Sequence, residues 1–325
     1  TSVVICTKND IEQLKSNLPK ILSQDYPDFE VIVVNDGSWD GTKNFLDRIA
    51  LEVDRLRLIH LDKDRNHTAG KKFALTMGIK AAKNEHLLLI DSDCYPHSNS
   101  WISLMMCKFK DGKEVVLGFS PYKKHMGLLN LFIRYETLFV GMQYVSYALN
   151  GKPYMGVGRN LAYKKSLFLG QKGFAKHINL AAGDDDLFVQ SIANKKNTAV
   201  CIQPDSFTIS QPHRKVGDWW KQKKRHLSIG TAYKGGIKFA LGTFNLSFIL
   251  FYMLGILLFV LGFSWQLIAL AYLIRTIILW VFTIYSFGKL KDVLLGVLFP
   301  ILEILYFFYY IIIGPSSFFK DKNKW

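Results

Sequence analysis

The sequence predicts an α/β domain with a doubly wound sheet, followed by an all-α transmembrane region. Short β-branched runs alternate with helical patterns over the first 120 residues, and charged motifs follow the ends of several runs. The chain after Ala240 is almost wholly apolar. Open α/β sheets bind ligands at the carboxyl ends of their strands, so we expect the functional site there.

The predicted strands are continuous apolar runs, as in parallel sheets that are buried on both faces. They are Val3–Cys6, Val31–Val34, Leu56–His60, Leu87–Ile90 and Val115–Phe119. The predicted helices between them are Ile11–Leu22, Thr42–Val53, Lys71–Ala82 and Ser100–Lys110. This alternation over the first 120 residues predicts a doubly wound α/β domain.

The chain is strongly basic, with 41 Lys and Arg against 26 Asp and Glu and a formal charge of +15. Such a charge suits polyanions, including nucleic acid and anionic lipid headgroups. The sequence contains no nucleic-acid recognition motif, so we expect no nucleic acid partner and treat a basic binding module as a distant alternative. The four cysteines are scattered without metal-binding spacing, which predicts free thiols.

The apolar region over residues 241–325 contains three stretches of about the length that crosses a hydrocarbon core. They are Thr243–Phe263, Gln266–Phe287 and Val293–Ile313. Charges at membrane depth usually find partners within the protein, so Arg275 either pairs with Glu303 or extends to the membrane surface. Pro300 predicts a kink in the third span.

The loop between the second and third predicted spans contains Lys289 and Lys291, which place it in the cytoplasm together with the first domain. Three full spans would put the basic tail Lys320-Asp321-Lys322-Asn323-Lys324 on the other side, against the positive-inside tendency. Either one segment is re-entrant or the tendency fails here. We expect an integral membrane protein, in the bacterial inner membrane, with a cytoplasmic first domain.

Two segments before the spans combine aromatic and charged residues. Residues 126–149 predict an amphipathic helix in the membrane interface, with a core helix as the alternative. Residues 215–226 carry Trp219 and Trp220 beside clustered lysines, as in a belt at a membrane surface. Both segments predict that the bilayer is a partner of the first domain.

The most informative motif is Asp91-Ser92-Asp93, which follows the apolar run His86–Ile90. Two carboxylates at a strand end suit a hard divalent cation that keeps open positions for a substrate's phosphates. An ordinary polar turn is the alternative. Asp36 ends the second strand beside Gly37, where its carboxylate can accept hydrogen bonds from a nucleobase or ribose, and here too an ordinary turn is the alternative.

Three further motifs carry charge at helix positions. Gly70-Lys71-Lys72 opens a helix, and because a lysine opposes the helix dipole there, Lys71 favours an anion such as phosphate over a simple surface charge. In Asp184-Asp185-Asp186, like charges raise the pKa of at least one carboxyl, as for a general base, although helix capping is the alternative. Gln222 and Arg225 share a helix face and can grip a diphosphate, with a membrane-surface patch as the alternative.

The order and spacing of these motifs resemble the family 2 glycosyltransferases with the GT-A fold, especially membrane-bound members such as cellulose, chitin and hyaluronan synthases and ceramide glucosyltransferase. Those enzymes show a strand-end Asp, a GK-containing loop, a DxD motif, an ED or DD pair and QxxRW. The corresponding residues here are Asp36, Gly70-Lys71, Asp91-Ser92-Asp93, Asp184-Asp185 and Gln222-x-x-Arg225. The opening run Val3–Asp10 also resembles the family's first strand and nucleotide loop, and the match covers about residues 1–230.

The resemblance implies how the donor is held. It places Thr7 in the nucleotide loop, Asp36 on the nucleobase, and Asp91 on the ribose or the metal. Lys71 would hold the phosphates, and Asp93 would hold a divalent cation, Mn²⁺ or Mg²⁺. The general base would be Asp185 with Asp184 beside it, while Gln222 and Arg225 would close over the diphosphate. His226 stands where the family usually has Trp, so details of the acceptor channel are not carried over.

The resemblance therefore predicts an inverting glycosyltransferase that uses a nucleoside-diphosphate sugar, with a uridine nucleotide as the expected donor. The expected acceptor is a hydroxyl of a membrane lipid, a lipid-linked saccharide or a polysaccharide. Three predicted spans are fewer than the long-polymer synthases have, which argues against processive synthesis with secretion. The alternative is a membrane-bound, metal-dependent nucleotidyl- or phosphotransferase that uses the same carboxylates.

Overall fold

The computed structural model describes residues 1–62, 70–180 and 182–316, and these form two compact units. Of the described residues, the first unit comprises 1–124 and 143–213, and the second comprises 125–142 and 214–316. These boundaries differ from the sequence-based division, because residues 125–142 and 214–230 group with the C-terminal helices. The predicted basic tail Lys320–Lys324 and most of the loop before Gly70 lie outside the described residues.

The first unit is built on a seven-stranded sheet with the order β3-β2-β1-β4-β7-β6-β8, and β5 pairs with β9 in a separate two-stranded sheet. The strands are β1 Ser2–Thr7, β2 Glu30–Asp36, β3 Leu56–Leu61, β4 His86–Leu89, β5 Cys94–Pro96, β6 Val115–Leu117, β7 Leu161–Lys164, β8 Thr198–Val200 and β9 Thr208–Ser210. All five predicted strands are confirmed within a few residues.

The large sheet is mixed, whereas the apolar runs predicted a parallel one. Strands β1 to β4 are parallel, but β7 runs antiparallel to both β4 and β6. Val115–Leu117 therefore does not continue the parallel series beside β4, since β7 lies between them. A strand inside a sheet covered on both faces is apolar whichever way it runs, so composition did not reveal its direction.

The helices are α1 Ile11–Leu22, α2 Thr42–Ala50, α3 Gly70–Ala81, α4 Trp101–Met106, α5 Leu128–Leu149, α6 Lys165–Gly170, α7 Asp186–Ile192, α8 Val216–Ile229, α9 Gly235–Val260, α10 Trp265–Lys289, α11 Val293–Val297 and α12 Phe299–Ser316. Helix α3 lies unusually close to the sheet. A Cβ on Gly78 would lie 2.7 Å from Val4 Cγ1 and 2.9 Å from Val34 Cγ2. This close packing fixes the start of α3, and with it Lys71, at the edge where β1 and β2 end.

The second unit contains two helices long and apolar enough to cross a membrane, α9 with 26 residues and α10 with 25. The third predicted span is divided in the structure between α11 and the shorter α12. Pro300 was expected to kink that span, but it is the second residue of α12. Its missing N–H removes no helical hydrogen bond there, so the break falls before the proline. The three-span topology stays a prediction.

Three ion pairs join described residues of the second unit. Arg275 donates two hydrogen bonds to Glu303, of 2.8 and 3.1 Å, which confirms the pairing alternative. Arg134 pairs with Asp292, and Lys223 pairs with Glu136. The buried ion pairs of α5 fit the core-helix interpretation of residues 126–149, and its placement in a membrane interface stays a prediction.

The belt residue Trp219 is only 5% exposed, so its ring lies within the protein. It packs in the second unit against Phe132 and Tyr309, with ring centroids 5.8 and 5.4 Å apart. The basic and aromatic composition of residues 215–226 predicted a surface-facing tryptophan. Because a helix presents residues to all sides, that composition did not reveal which side packs inward.

Candidate active site

Three of the predicted site residues lie at the ends of adjacent parallel strands. Thr7 ends β1, Asp36 ends β2, and Asp91 follows the end of β4 by two residues. Since β1 is parallel to both neighbours, these ends meet at one edge of the sheet. This is the edge at which open α/β sheets bind ligands, as the strand-end motifs predicted.

The loop after β1 packs against the loop after β2. Lys8 Nζ lies 3.0 Å from Asp36 Oδ2, and the Asn9 amide donates to Ser38 Oγ at 2.9 Å. Asn9 has φ of 52°, a left-handed conformation that Asn tolerates better than most residues. The hydroxyl of Thr7 is buried and has no hydrogen-bond partner among the described residues. A buried polar atom of this kind is normally bonded, so Thr7 offers a contact to a ligand at this edge.

Lys71 joins two motifs that are far apart in the sequence. Its Nζ lies 2.7 Å from Asp91 Oδ1 and 3.3 Å from Asp184 Oδ2. Burial alone would lower the pKa of Lys71, but the carboxylates of Asp184 and Asp91 outweigh it and raise the pKa well above its usual value. Lys71 therefore contacts two carboxylates of the protein, and phosphate binding at this helix start stays a prediction.

The Asp91-Ser92-Asp93 motif lies in a cluster of acidic groups. Burial, and then the charge of Asp91, raise the pKa of Asp93, whose Oδ1 accepts a hydrogen bond from the Cys94 thiol at 3.1 Å. Ser92 Oγ donates to Asp10 Oδ2 at 2.7 Å. Burial, with the nearby Asp93 charge, raises the pKa of Asp10 to about 6. So many acids at one place are costly without a cation.

The donor set at this motif fits a divalent cation. In the described part of the chain, no group of three or more His, Cys, Asp or Glu side chains is placed to hold a metal. Mg²⁺ and similar hard ions need fewer protein ligands, because one or two carboxylates plus substrate phosphates and waters complete their coordination. Asp91 and Asp93 supply two carboxylates of this type, and a cation there would relieve their mutual repulsion.

The carboxyl groups of Asp184 and Asp185 have pKa values shifted in opposite directions. Burial would raise the pKa of Asp184, but Lys71 outweighs it and the pKa is lowered. At Asp185, burial and the charges of Asp186 and Asp184 outweigh the opposing charge of Lys71 and raise the pKa to about 7. Two neighbouring carboxyls with separated pKa values are a common arrangement for acid–base chemistry near neutral pH.

Asp185 is held by backbone groups on both oxygens. Its Oδ1 accepts from the Asp186 amide at 2.8 Å, which caps α7, and its Oδ2 accepts from the Gly158 amide at 3.1 Å. The capping alternative for this motif is therefore also correct. Capping fixes the side chain's orientation, whereas the surrounding charges set its protonation, so the two roles are compatible.

Sequence reasoning missed Arg159, which is half-buried near Asp93. It donates to Tyr122 Oη and to the Ser120 carbonyl, both at 3.1 Å, and its guanidinium stacks on the Tyr122 ring at 4.6 Å. Although burial would lower its pKa, contacts with Tyr122 and the nearby Asp93 raise it. No motif marked Arg159, and a single arginine between two apolar runs carries no signal in one sequence.

Gln222 and Arg225 lie on α8 in the second unit, three residues apart as predicted. Gln222 Oε1 and Arg225 Nε are buried and have no hydrogen-bond partner among the described residues. Two unbonded polar atoms on one helix fit the expectation that this pair binds a polar ligand. The structure thus brings Lys71, Asp91 and Asp184 together in the first unit and leaves these two residues in the other.

The sequence matches the family model described as glycosyl transferase family 2 over residues 2–169. It is 31% identical over 117 residues to glycosyltransferase GlyG of Streptococcus pneumoniae, a match covering 36% of this chain and 38% of that protein. It is 33% identical over 92 residues to poly-beta-1,6-N-acetyl-D-glucosamine synthase of Staphylococcus epidermidis, covering 28% and 21%. These matches therefore span well under half the length of each relative.

The fold is similar to that of the mannosyltransferase PcManGT from Pyrobaculum calidifontis, whose structure contains GDP-Man and Mn²⁺. The TM-score is 0.55 at 23% sequence identity, over 70% of this chain and 61% of that one. At this identity the likeness concerns the fold alone. Because the family model covers more than half of the chain and the sheet is of the GT-A-like kind, this protein belongs to glycosyl transferase family 2.

Proposed function

We propose that this protein is an inverting glycosyltransferase that moves a sugar from a nucleoside-diphosphate sugar to an acceptor hydroxyl. The observation that carries this proposal is the position of Lys71 between Asp91 and Asp184, next to Asp185 with its pKa raised to about 7. The Lys71 ammonium contacts Asp91, which is proposed to bind the sugar donor, and Asp184, which lies next to the proposed base. Family membership supports the same reaction class.

In the proposed reaction, Asp185 accepts the proton of the acceptor hydroxyl as its oxygen attacks the anomeric carbon. The bond from that carbon to the diphosphate oxygen breaks on the opposite face, so the configuration inverts and the nucleoside diphosphate leaves. A base with a pKa near 7 is ionised often enough to act and basic enough to accept the proton. Asp184 stays ionised beside Lys71 and keeps the pKa of Asp185 high.

The donor is proposed to lie along the sheet edge. Thr7 and Asp36 would contact the nucleoside, Lys71 the phosphates, and Asp91 and Asp93 would hold Mn²⁺ or Mg²⁺. The bound cation would supply positive charge to the leaving diphosphate, the type of stabilisation that usually dominates such catalysis. Gln222 and Arg225, with their unbonded buried atoms, are proposed to add polar contacts to the diphosphate.

We propose a uridine nucleotide as donor and a membrane lipid, lipid-linked saccharide or polysaccharide as acceptor. The length and apolar composition of α9 and α10 support membrane attachment, and no residue of α9 is buried in the protein. The name of the staphylococcal relative supports saccharide synthesis. The catalytic unit is proposed to face the cytoplasm of a bacterial cell, on the side of Lys289 and Lys291.

The test is a panel of UDP-, GDP- and other nucleotide-linked sugars, incubated with membranes that contain the full chain, with and without Mn²⁺. We expect metal-dependent release of an intact nucleoside diphosphate and incorporation of the sugar into membrane material. Cleavage of a phosphorus–oxygen bond within the diphosphate, in place of the bond to the anomeric carbon, would support the nucleotidyl- or phosphotransferase alternative. Absence of turnover with every donor and metal would contradict the proposal.

A further inference from the structure

Lys72 follows Lys71 in the chain and belongs to the first turn of α3. Lys72 is only 3% exposed, and its ammonium group donates hydrogen bonds to three backbone carbonyls. The acceptors are His177 O at 2.5 Å, Leu180 O at 2.9 Å and Ala182 O at 2.7 Å. An ammonium group has three protons, so all of its donor capacity is directed at one short segment.

A lysine is an unfavourable choice for such a buried position unless its charge has a purpose. Burial lowers the pKa of Lys72, and Asp184 and Asp186 oppose that shift from nearby. An apolar residue would fill the same space without the cost of desolvating a charge. The three converging carbonyls explain the lysine, because a rigid, planar guanidinium cannot direct its donors to three acceptors around one point.

The segment formed by residues 177–180 and 182 contains no buried residue. The preceding turn Ala175–His177 buries none of its residues, and Leu180 is 39% exposed. Among the described residues, the side-chain hydrogen bonds that tie this segment to another element come from Lys72. Helix α3, by contrast, is packed tightly on the sheet. The three hydrogen bonds of Lys72 therefore attach a weakly packed segment to a tightly packed helix.

The segment leads directly into the catalytic pair. Gly183 follows with φ of 95°, and Asp184 and Asp185 come next. Lys71 contacts Asp184 itself, at 3.3 Å, while Lys72 holds the carbonyls just before it. Two consecutive lysines at the start of α3 thus hold both the acidic pair and the chain that delivers it.

We propose that Lys72 is a positioning residue, which holds the backbone of His177, Leu180 and Ala182 and so places Asp185 for proton transfer. The proposal rests on the proposed function, in which Asp185 is the base. Its role differs from that of Lys71, since Lys72 bonds only to backbone carbonyls among the described residues and is not proposed to touch the donor. Misplacement of a catalytic group by about 1 Å can cost about 10²-fold in rate, so loss of these bonds should slow turnover.

The experiment compares Lys72→Met and Lys72→Gln in the full chain with Lys80→Met, an exposed lysine on the same helix. We expect Lys72→Met to lower kcat by about 10- to 100-fold and Lys72→Gln by less, because an amide keeps part of the donor capacity. Binding of UDP with Mn²⁺ should stay within about twofold for both. Trypsin should cleave faster after the exposed Lys176 in both variants, but not in Lys80→Met.

Asp185→Asn serves as the reference variant. If Asp185→Asn is inactive while both Lys72 variants keep full kcat and ordinary trypsin resistance, the positioning role is wrong and the proposed function stands. If Asp185→Asn keeps full turnover, the assignment of the base fails first. Weakened UDP binding in step with kcat, or failure of both Lys72 variants to fold, would show that Lys72 serves general stability and would overturn the proposal.

Discussion

The two units of the molecule treat buried charge in opposite ways. In the helical unit, the ion pairs among the described residues join one acid to one base, as in Arg275 with Glu303 and Arg134 with Asp292. At the sheet edge of the first unit, acids outnumber the cations near them. The acids of this cluster are Asp10, Asp91, Asp93, Asp184, Asp185 and Asp186.

This comparison distinguishes charged groups that stabilise the fold from charged groups that can take part in a reaction. A mutually bonded pair has no remaining capacity to exchange a proton or bind an ion at moderate pH. Burial, together with the charges of neighbouring carboxylates, raises the pKa of Asp10 and Asp185 and so leaves groups ready to accept a cation or a proton. Residues of the same chemical types therefore have different uses, which their partners determine.

The largest effect is expected for Asp185→Asn, which removes the base from the surplus cluster while preserving its shape. The kcat for sugar transfer should fall by about 10³-fold, the range of a general base. UDP binding in the presence of Mn²⁺, measured by calorimetry, should change by less than about threefold, because Asn retains the capping acceptor. A variant that kept most of its turnover would place the base elsewhere.

The next largest effect, a loss of stability, is expected when the ion pair of Arg275 and Glu303 in the helical unit is broken. Glu303→Gln or Arg275→Met alone should destabilise the protein by about 3 kcal/mol, because each leaves an uncompensated buried charge or a partly bonded partner. The double variant Arg275→Met with Glu303→Met should lose less unfolding free energy than the sum of the losses in the two single variants. Thermal unfolding of the full chain in detergent measures this cycle, and strictly additive losses would show that the pair is not coupled.

A smaller effect, on the pH dependence of the rate, is expected from removing one carboxylate of the acidic cluster. The acidic limb of kcat/KM should have an apparent pKa near 7, because Asp185 must lose its proton to act, so the rate falls as pH drops. Asp186→Asn removes the neighbouring charge that, after burial, most raises this pKa. The limb should then move to lower pH by up to about one unit. A limb that moved to higher pH would contradict the electrostatic account.

The smallest effect is expected for an exposed pair in the first unit. Lys15 and Glu12 lie 3.1 Å apart on α1, with side chains 45% and 80% exposed. Lys15→Met should change the free energy of unfolding by only about 0.3 kcal/mol, since solvent and salt screen the pair. Urea unfolding measures this value, and a loss as large as that at Arg275 would show that exposure does not separate the two kinds of pair.

The edge of the sheet that carries the site was predictable because strand ends can be read from local sequence. Buried strands are apolar throughout, so Asp36 and Asp91 were recognisable as the first charges after them. The reversed β7 was not predictable, since pairing direction depends on how a distant segment returns to the sheet. Asp10 was missed as part of the acidic cluster for the same reason, because Ser92, 82 residues away, brings it there.

The roles of the two adjacent lysines show the same limit more sharply. The helix start at Gly70 and its odd positive charge were visible in the sequence, and they predicted an anion near Lys71. That the neighbouring Lys72 turns inward to three carbonyls, 105 to 110 residues away, was not visible. The direction of each side chain follows from which side of α3 faces the sheet.

By itself, the sequence determined the alternation of strands and helices, the apolar C-terminal helices and the order of the charged motifs, because these depend on composition and local spacing. The tertiary structure decided which charges meet. It placed Lys71 in contact with Asp91 and Asp184, buried Asp185 beside two other carboxylates, and paired Arg275 with Glu303. The physical reason is that the pKa and the use of a charged group depend on distances of a few ångströms between residues that are far apart in the chain.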